Sequence, residues 1–522
     1  MPFSEWFHRH PLEEVSFSVA QREWLDLQTA IQRTNGRSLL ALSLAPVNSP
    51  QYRLARRLLR RRLSGRVSSL SSDTPVLDVE LVPKWREHCY VVTIDHLDVG
   101  SFNQELSAGT TPWVLFASIH DSEDEIALLV SNLLHHAHDP RTTYFAGETD
   151  EGSARGVGPH TLLSVNAVGR GAIFPRNVLL AVGGLSHDVS DFEHDLVLRL
   201  SEAGYPFVGI PTQHSLTPSP RPRTETTVAA LRRRGVTGIA NQRDEVVTWS
   251  VMSRPSVDIV IPTRDRIDLL NSCLDSVEQN CGNFAVTITI VDNGSVEPES
   301  HAYFAQSPHR IVQHPGEFNY AAIVNHGVAS GGNDVVVVLN NDTVVRSGWL
   351  EGLVPLATLK DVGVVGATLV SPDGDVQHAG MAAMPYPVEL PYGRIPNLVT
   401  GDSLTLSERQ TDAIRNVLAV TGACHVVERS KWERAKGMDE TLRVTANDVD
   451  LCLRLNELGY YTVLNPHVVI EHVGKASRGS SESSDDHVRF LQRWGFLRGL
   501  LDPCVPVRRA NIVPGATRTP LK

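Results

Sequence analysis

From residue 257 onward the chain alternates apolar runs with helical patterns. VDIVIP (257–262), a β-branched run closed by Pro262, predicts a strand; DLLNSCLDSVEQN (268–280) predicts a helix; AVTITIVDNGS (285–295) predicts the next strand. NDVVVVLNNDT (333–343) sets five apolar residues directly before a polar cluster, the pattern of a buried parallel strand whose carboxyl end carries polar groups. Val449, Cys452, Leu455 and Leu458 recur at helical spacing behind Asp448 and Asp450. These patterns predict βαβ units and an α/β domain. Upstream, the Pro-rich TPSPRPRT (217–224) divides the chain, and TVAALRRRG (227–235) predicts a short helix closed by Gly235.

The first half carries a weak second copy of part of the second. Asp195, Arg199, Gly204, Tyr205 and Pro211 correspond to Asp450, Arg454, Gly459, Tyr460 and Pro466, each pair 255 positions apart (450 − 195, for example). VGGL (182–185) precedes the first copy as KGMDE (436–440) precedes the second. Two related α/β lobes follow, the first beginning no later than WVLFASIHD (113–121), with Asp121 in the place of Asp342 and Glu193 in that of Asp448.

Composition narrows the function. With 522 residues, 41% hydrophobic and 20% charged, the chain is globular and long enough for several domains. Its net charge of -11 excludes nucleic acid as the main partner. Six scattered cysteines without a C-x-x-C pair point to a reducing compartment rather than a disulfide framework. The N-terminus lacks a signal-peptide core and no apolar run is long enough to span a bilayer, so a cytoplasmic protein is expected. RLARRLLRRRLSGR (53–66) holds seven arginines opposite Leu54, Leu58, Leu59 and Leu63; it suits peripheral contact with anionic lipid, or a solvated face.

Polar groups gather where strands end. Thr263, Arg264 and Asp265, then Asp292, then Asn340, Asn341 and Asp342 follow three predicted strands, and open α/β sheets bind ligands at such ends. The Asp342 carboxylate suits a hard divalent cation, or simply a strand-end turn. Asp450 and Arg454 stand four apart and can pair, whereas Asp448, placed before the first regular turn, either projects into a cleft or caps the helix. His472 could complete a metal site or be structural, and Lys475 and Arg478 could meet phosphate oxygens. HHAHD (135–139) fits helix-end histidines better than a metal site, and DVGVVG (361–366) lacks dinucleotide-loop spacing.

The ordered set IPTRDR (261–266), VDNGS (291–295), EFNYAAIVNHGV (317–328), VLNNDT (338–343), GWLEGLV (348–354), DGDVQHAG (373–380), TGAC (421–424), GMDE (437–440) and NDVDLCLRLNELGY (447–460), then EH and SRG, resembles the family 2 glycosyltransferases of the GT-A fold. The pattern is that of bacterial two-lobe rhamnosyltransferases and O-antigen or cell-surface polysaccharide enzymes. The resemblance implies sugar transfer, with inversion, from a nucleotide diphosphate sugar to a glycan or lipid-linked glycan hydroxyl. It places Thr263, Arg264, Asp265, Asp292, Asn325, Asn340, Asn341 and Asp342 at the nucleotide sugar, Mg²⁺ or Mn²⁺ on Asp342 and His472, and the base at Asp448. Gln377, His378, Asn447 and Arg478 fall in the sugar or acceptor region. Asn340 stands where many relatives carry an aspartate.

The expected organisation is an N-terminal region (1–90) with the basic helix, a degenerate GT-A-like lobe (91–216), a linker and helix (217–250), a catalytic GT-A domain with a mostly parallel sheet (251–500) and a tail (501–522). Two other functions fit less well. A sugar nucleotidylyltransferase should show a Gly-rich N-terminal phosphate loop, and a non-catalytic nucleotide-sugar or carbohydrate-binding protein need not keep Asp342, Asp448 and His472 together.

Overall fold

The computed structural model describes residues 84–494 except 96, 138, 148–156, 188–190, 212–215, 218, 244–245, 384–397, 401–412 and 475–483. The arginine-rich stretch 53–66, Lys475, Arg478 and the tail lie outside the described residues. Two sheets dominate. In the first lobe β1 (Cys89–Thr93), β2 (Trp113–Ala117), β3 (Thr143–Gly147), β4 (Ala172–Pro175) and β5 (Phe207–Pro211) are ordered β1-β2-β4-β3-β5. The strands β1/β2 and β3/β5 run parallel, and β4 runs against both its neighbours.

A hairpin, β6 (Gly238–Arg243) and β7 (Val246–Val251), leads into the second lobe. Its strands are β8 (Val257–Thr263), β9 (Val286–Asp292), β10 (Arg310–Gln313), β11 (Val335–Leu339), β12 (Thr343–Val344), β13 (Val362–Val370), β14 (Val376–His378), β15 (Met381–Ala383), β16 (Leu398–Thr400), β17 (Arg415–Val417), β18 (Cys424–Glu428) and β19 (Tyr461–His472). The main path is β10-β9-β8-β11-β18-β13-β19-β12, with β14 on β13 and β17 on β19. From β10 to β11 the sheet is parallel, as the apolar runs predict; β18 then enters antiparallel. All residues of β11 and β13 are buried, because helices cover both faces of the sheet there.

The duplication is now visible in three dimensions. The strands β8, β11, β13, β18 and β19 repeat the chain order, spatial order and senses of β1 to β5. What the second lobe adds on its outer edge is β9 and β10. Corresponding details match as well. Tyr205 and Tyr460 each donate a backbone hydrogen bond of 3.0 Å to Leu200 and Leu455, closing the helices Phe192–Glu202 and Asn447–Glu457 after Gly204 (φ 77°) and Gly459 (φ 91°).

Each of those helices is also stapled alike. Arg199 donates to Asp195 at 2.7 Å and to the Val182 carbonyl at 2.7 Å; Arg454 donates to Asp450 at 2.7 Å and to the Gly437 carbonyl at 2.8 Å. The other oxygen of each aspartate is taken by an arginine from the helix after the last strand, Arg233 of Thr224–Arg233 at 2.9 Å and Arg493 of Ser484–Trp494 at 2.8 Å. Both aspartates are buried, and two guanidinium partners compensate each desolvated charge.

Three boundaries differ from expectation. The first sheet begins at Cys89 within the segment assigned to the N-terminal region, since β1 pairs along its length with β2. In the segment expected as a linker and helix (217–250), the helix Thr224–Arg233 is present and a hairpin, β6–β7, packs on it. The helix carrying Asp448 starts at Asn447, so Asp448 lies inside its first turn; the preceding Ala446, in a left-handed conformation (φ 62°), provides no side-chain cap.

The lobes share one hydrophobic core and a polar seam. Asn416 on β17 accepts from the backbone of His160 at 2.9 Å and lies 3.0 Å from its ring Nδ1, while His160 Nε2 stands 3.4 Å from Asp361. Trp249 Nε1 donates to Ser164 at 3.1 Å. The neighbouring Arg415 donates to the Ala379 carbonyl at 2.7 Å, tying the seam to the segment after β14.

Candidate active site

Thr263 and Asp292 end the adjacent parallel strands β8 and β9, which brings their loops together. Asp265, in a left-handed conformation (φ 52°), accepts from the Val296 and Glu297 amides at 2.7 and 2.9 Å, and its own amide donates to Ser295 at 2.7 Å. The buried Asp292 accepts from the Ser295 amide and hydroxyl at 2.8 and 2.6 Å. One oxygen of each carboxylate therefore shapes the DNGS loop. Arg264 is exposed at this rim, and Asn341 donates to Thr263 at 2.8 Å, joining the ends of β8 and β11.

Asp342 follows β11, and β12 pairs Thr343 with His472 at the end of β19. His472 Nε2 consequently stands 3.3 Å from Asp342 Oδ1, an oxygen that is buried and accepts no hydrogen bond. Burial opposes ionisation of Asp342, but His472 when its ring carries a positive charge, together with backbone amides, outweighs it and holds the carboxyl below its ordinary range. Among the described residues no three metal-binding side chains cluster. A carboxylate oxygen and one imidazole nitrogen suit a cation that draws its remaining ligands from a diphosphate and water.

Asp448 is half-buried. Its Oδ2 accepts from the Gly422 amide at 2.9 Å and its Oδ1 from the Val449 amide at 2.8 Å, which leaves each oxygen a further lone pair. Tyr320 connects this group to the β11 tip: its hydroxyl lies 2.9 Å from the Gly422 carbonyl and 3.1 Å from Asn340 Oδ1. Gly422 thus holds the carboxylate with its amide and the tyrosine with its carbonyl. Sequence reasoning passed over Tyr320, although it stands in the EFNY motif; the contact spans about a hundred residues and leaves no local pattern.

The remaining expected residues divide. Gln377 donates from Nε2 to the His472 carbonyl at 2.8 Å, and its Oε1 lies 2.9 Å from His472 Nδ1, so its amide serves His472. His378 is buried, its Nε2 accepting from the Gly380 and Thr421 amides at 3.2 and 3.3 Å. Burial is the main cause that pushes its imidazole down to about 3, against the upward pull of Asp448. Asn325 is drawn away from ligand contact: its amide donates to the Met438 carbonyl at 2.9 Å and Glu440 at 3.0 Å and accepts from the Met438 amide at 2.9 Å. Asn447 is buried and donates to the Leu442 carbonyl at 3.3 Å. Both asparagines lock loops, Asn447 from a buried position and Asn325 from a half-buried one.

In the first lobe the equivalent groups are closed by protein. Asp121 accepts from the Ser118 amide and from the amide and hydroxyl of Thr217, all at 2.7 Å. The buried Glu193 is held by Arg170 at 3.2 Å; burial raises its carboxyl pKa and Arg170 only partly offsets this. Among the described residues no strands equivalent to β9 and β10 flank this sheet.

Residues 258–409 match the family described as "Glycosyl transferase family 2", and 335–498 match "Glycosyl transferase family group 2". The chain is 33% identical over 347 residues to "O-antigen biosynthesis protein RfbC" of Myxococcus xanthus, covering 61% of this chain and 27% of that one. It is 25% identical over 227 residues to "N-acetylglucosaminyl-diphospho-decaprenol L-rhamnosyltransferase" of Mycobacterium tuberculosis, covering 38% and 70%. The chain therefore spans about a quarter of the length of its O-antigen relative. Among solved structures, GalNAc-T7 with UDP, GalNAc and Mn²⁺ aligns at 13% identity and a TM-score of 0.37 over 46% of this chain and 49% of that one.

Proposed function

The chain belongs to the family 2 glycosyltransferases through its second lobe, and on that premise we propose that it transfers a sugar, with inversion, from a nucleoside diphosphate donor to a glycan or lipid-linked glycan hydroxyl. The observation that carries this is Asp448: a half-buried carboxylate anchored by Gly422 and linked through Tyr320 to Asn340, two residues from Asp342. The named relatives favour cell-surface polysaccharide synthesis and a rhamnosyl donor.

In this reading the acceptor hydroxyl approaches Asp448, whose carboxylate takes its proton as the oxygen attacks the anomeric carbon. The C–O bond to the diphosphate breaks on the opposite side, so one displacement inverts the centre without a covalent enzyme intermediate. Thr263, Arg264, Asp265, Asp292 and Asn341 frame the nucleoside side. Asp342 and His472 would hold a divalent cation, which when bound would offset charge on the leaving diphosphate. Asn340, an amide, presents donors rather than a second carboxylate. The first lobe supports the second through the Asn416 seam, and among its described residues the counterparts Asp121 and Glu193 are both satisfied internally, so it serves as a scaffold.

The test is nucleoside diphosphate release from a panel of UDP-, GDP- and dTDP-sugars with Mn²⁺, Mg²⁺ or EDTA. Metal-dependent release from one donor is expected. Binding of a donor without turnover in the presence of any acceptor glycan would favour a carbohydrate-binding role instead.

A further inference from the structure

We propose that Gln377 is a positioning residue that fixes the tautomer of His472, presenting the Nε2 lone pair to Asp342 and so setting the site's affinity for a divalent cation. The effect on affinity rests on the cation reading above; the tautomer of His472 needs no metal.

The side-chain amide of Gln377 meets His472 twice. One end lies 2.8 Å from the His472 carbonyl oxygen and the other 2.9 Å from His472 Nδ1. A carbonyl only accepts, so the end facing it must be the NH₂ group, which makes the end facing Nδ1 the oxygen. That oxygen also only accepts, and Nδ1 must therefore carry the ring hydrogen. In the neutral ring Nε2 is then a lone pair. It faces Asp342 Oδ1 at 3.3 Å, a buried oxygen with no hydrogen-bond donor among the described residues. Two electron-rich atoms held toward each other by backbone pairing at Thr343 and His472 call for a positive charge between or beside them.

The clasp comes from the fold. The strand β14, which ends at His378, pairs with β13, and β13 runs parallel to β19, so Gln377 reaches across to the last residue of β19. Metal-bound histidines are commonly oriented through their second nitrogen in this way, and loss of such partners typically lowers metal affinity by about 10–100-fold.

Two variants and two readouts test the proposal. In metal-free protein at pH 8, ¹⁵N NMR of the His472 ring should show the Nδ1–H tautomer, shifting toward Nε2–H in Gln377→Leu. Mn²⁺ alone, titrated by EPR, should bind Gln377→Leu about 10–100-fold more weakly than wild type. In Gln377→Glu the acceptor for Nδ1–H remains and most of the affinity should return. An Nε2–H tautomer in the wild type, or equal Mn²⁺ affinity in Gln377→Leu, overturns the proposal. If the wild type is Nδ1–H yet binds no Mn²⁺, the tautomer assignment stands and the cation reading itself falls.

Discussion

Gly422 holds Asp448 by its amide and Tyr320 by its carbonyl, so the carboxylate and the tyrosine share one peptide segment as their anchor. Geometry at Asp448 and at the β11 tip is therefore coupled through a single short turn.

If Asp448 takes the acceptor proton, Asp448→Asn should lower transfer by about 10²–10⁴-fold, the usual contribution of a positioned base. Nucleoside diphosphate affinity, measured by calorimetry, should stay near wild type. Equal turnover in the variant would remove Asp448 from the reaction.

Tyr320→Phe deletes the hydroxyl near Asn340 and Gly422 and leaves the ring. One lost hydrogen bond is worth about 1 kcal/mol, or roughly fivefold in rate if expressed wholly in the transition state. The fall should appear in kcat rather than in donor KM; a change confined to KM would place Tyr320 in ground-state binding alone.

The first lobe supplies a control. Glu193 occupies the position of Asp448 but is buried against Arg170. Glu193→Gln should leave kcat unchanged while Asp448→Asn lowers it by about 10²–10⁴-fold, and a comparable loss in both would mean that the first lobe takes part in chemistry.

Acid should destabilise the second lobe through His378. Its folded pKa is lowered from 6.5 to about 3, chiefly by burial, so the unfolded chain binds a proton that the folded one does not. The resulting stability is complete above about pH 6.5 and falls as pH drops toward 3, by up to ~1.4 kcal/mol per pH unit. Urea unfolding of His378→Gln at pH 6.5, 5.5 and 4.5 should show a shallower decline than wild type (steps of about one unit on the scale of that shift). Parallel slopes would assign the acid sensitivity to other groups, among them the buried His425, whose pKa burial also lowers.

The staples make a stability prediction. Arg454→Met and Arg199→Met each leave a buried aspartate with one guanidinium, and breaking a buried pair from one side costs about 3–5 kcal/mol. Urea midpoints should fall in both variants, and a loss under about 1 kcal/mol would show that Arg493 or Arg233 compensates alone.

Much of this architecture could be read beforehand, and the reason is periodicity. The five-residue correspondence beginning at Asp195 and Asp450 lies on one helix, one turn and one strand, so a constant offset survives along the chain; the matching five-strand order bears out the two-lobe expectation. Strand tips such as Asn340 to Asp342 were legible because an apolar run stops abruptly there. Gln377 and Asn325 were not. Their partners, His472 and Met438, lie across the sheet or in another loop, and an amide's role depends on which backbone groups it meets. The helix start at Asn447 also escaped pattern reading, since Ala446 is an unusual residue for a left-handed N-terminal position.

The twin staple finally separates ancestry from chemistry. An aspartate and an arginine four residues on, then Gly-Tyr and a proline, persist in a lobe whose carboxylates at the positions of Asp342 and Asp448 are sealed by its own side chains and backbone. That string of letters is thus a fingerprint of how the polypeptide closes around its last strand. What separates the two lobes lies two positions earlier, where one carries an open acid, Asp448, and the other a buried one held by an arginine, Glu193.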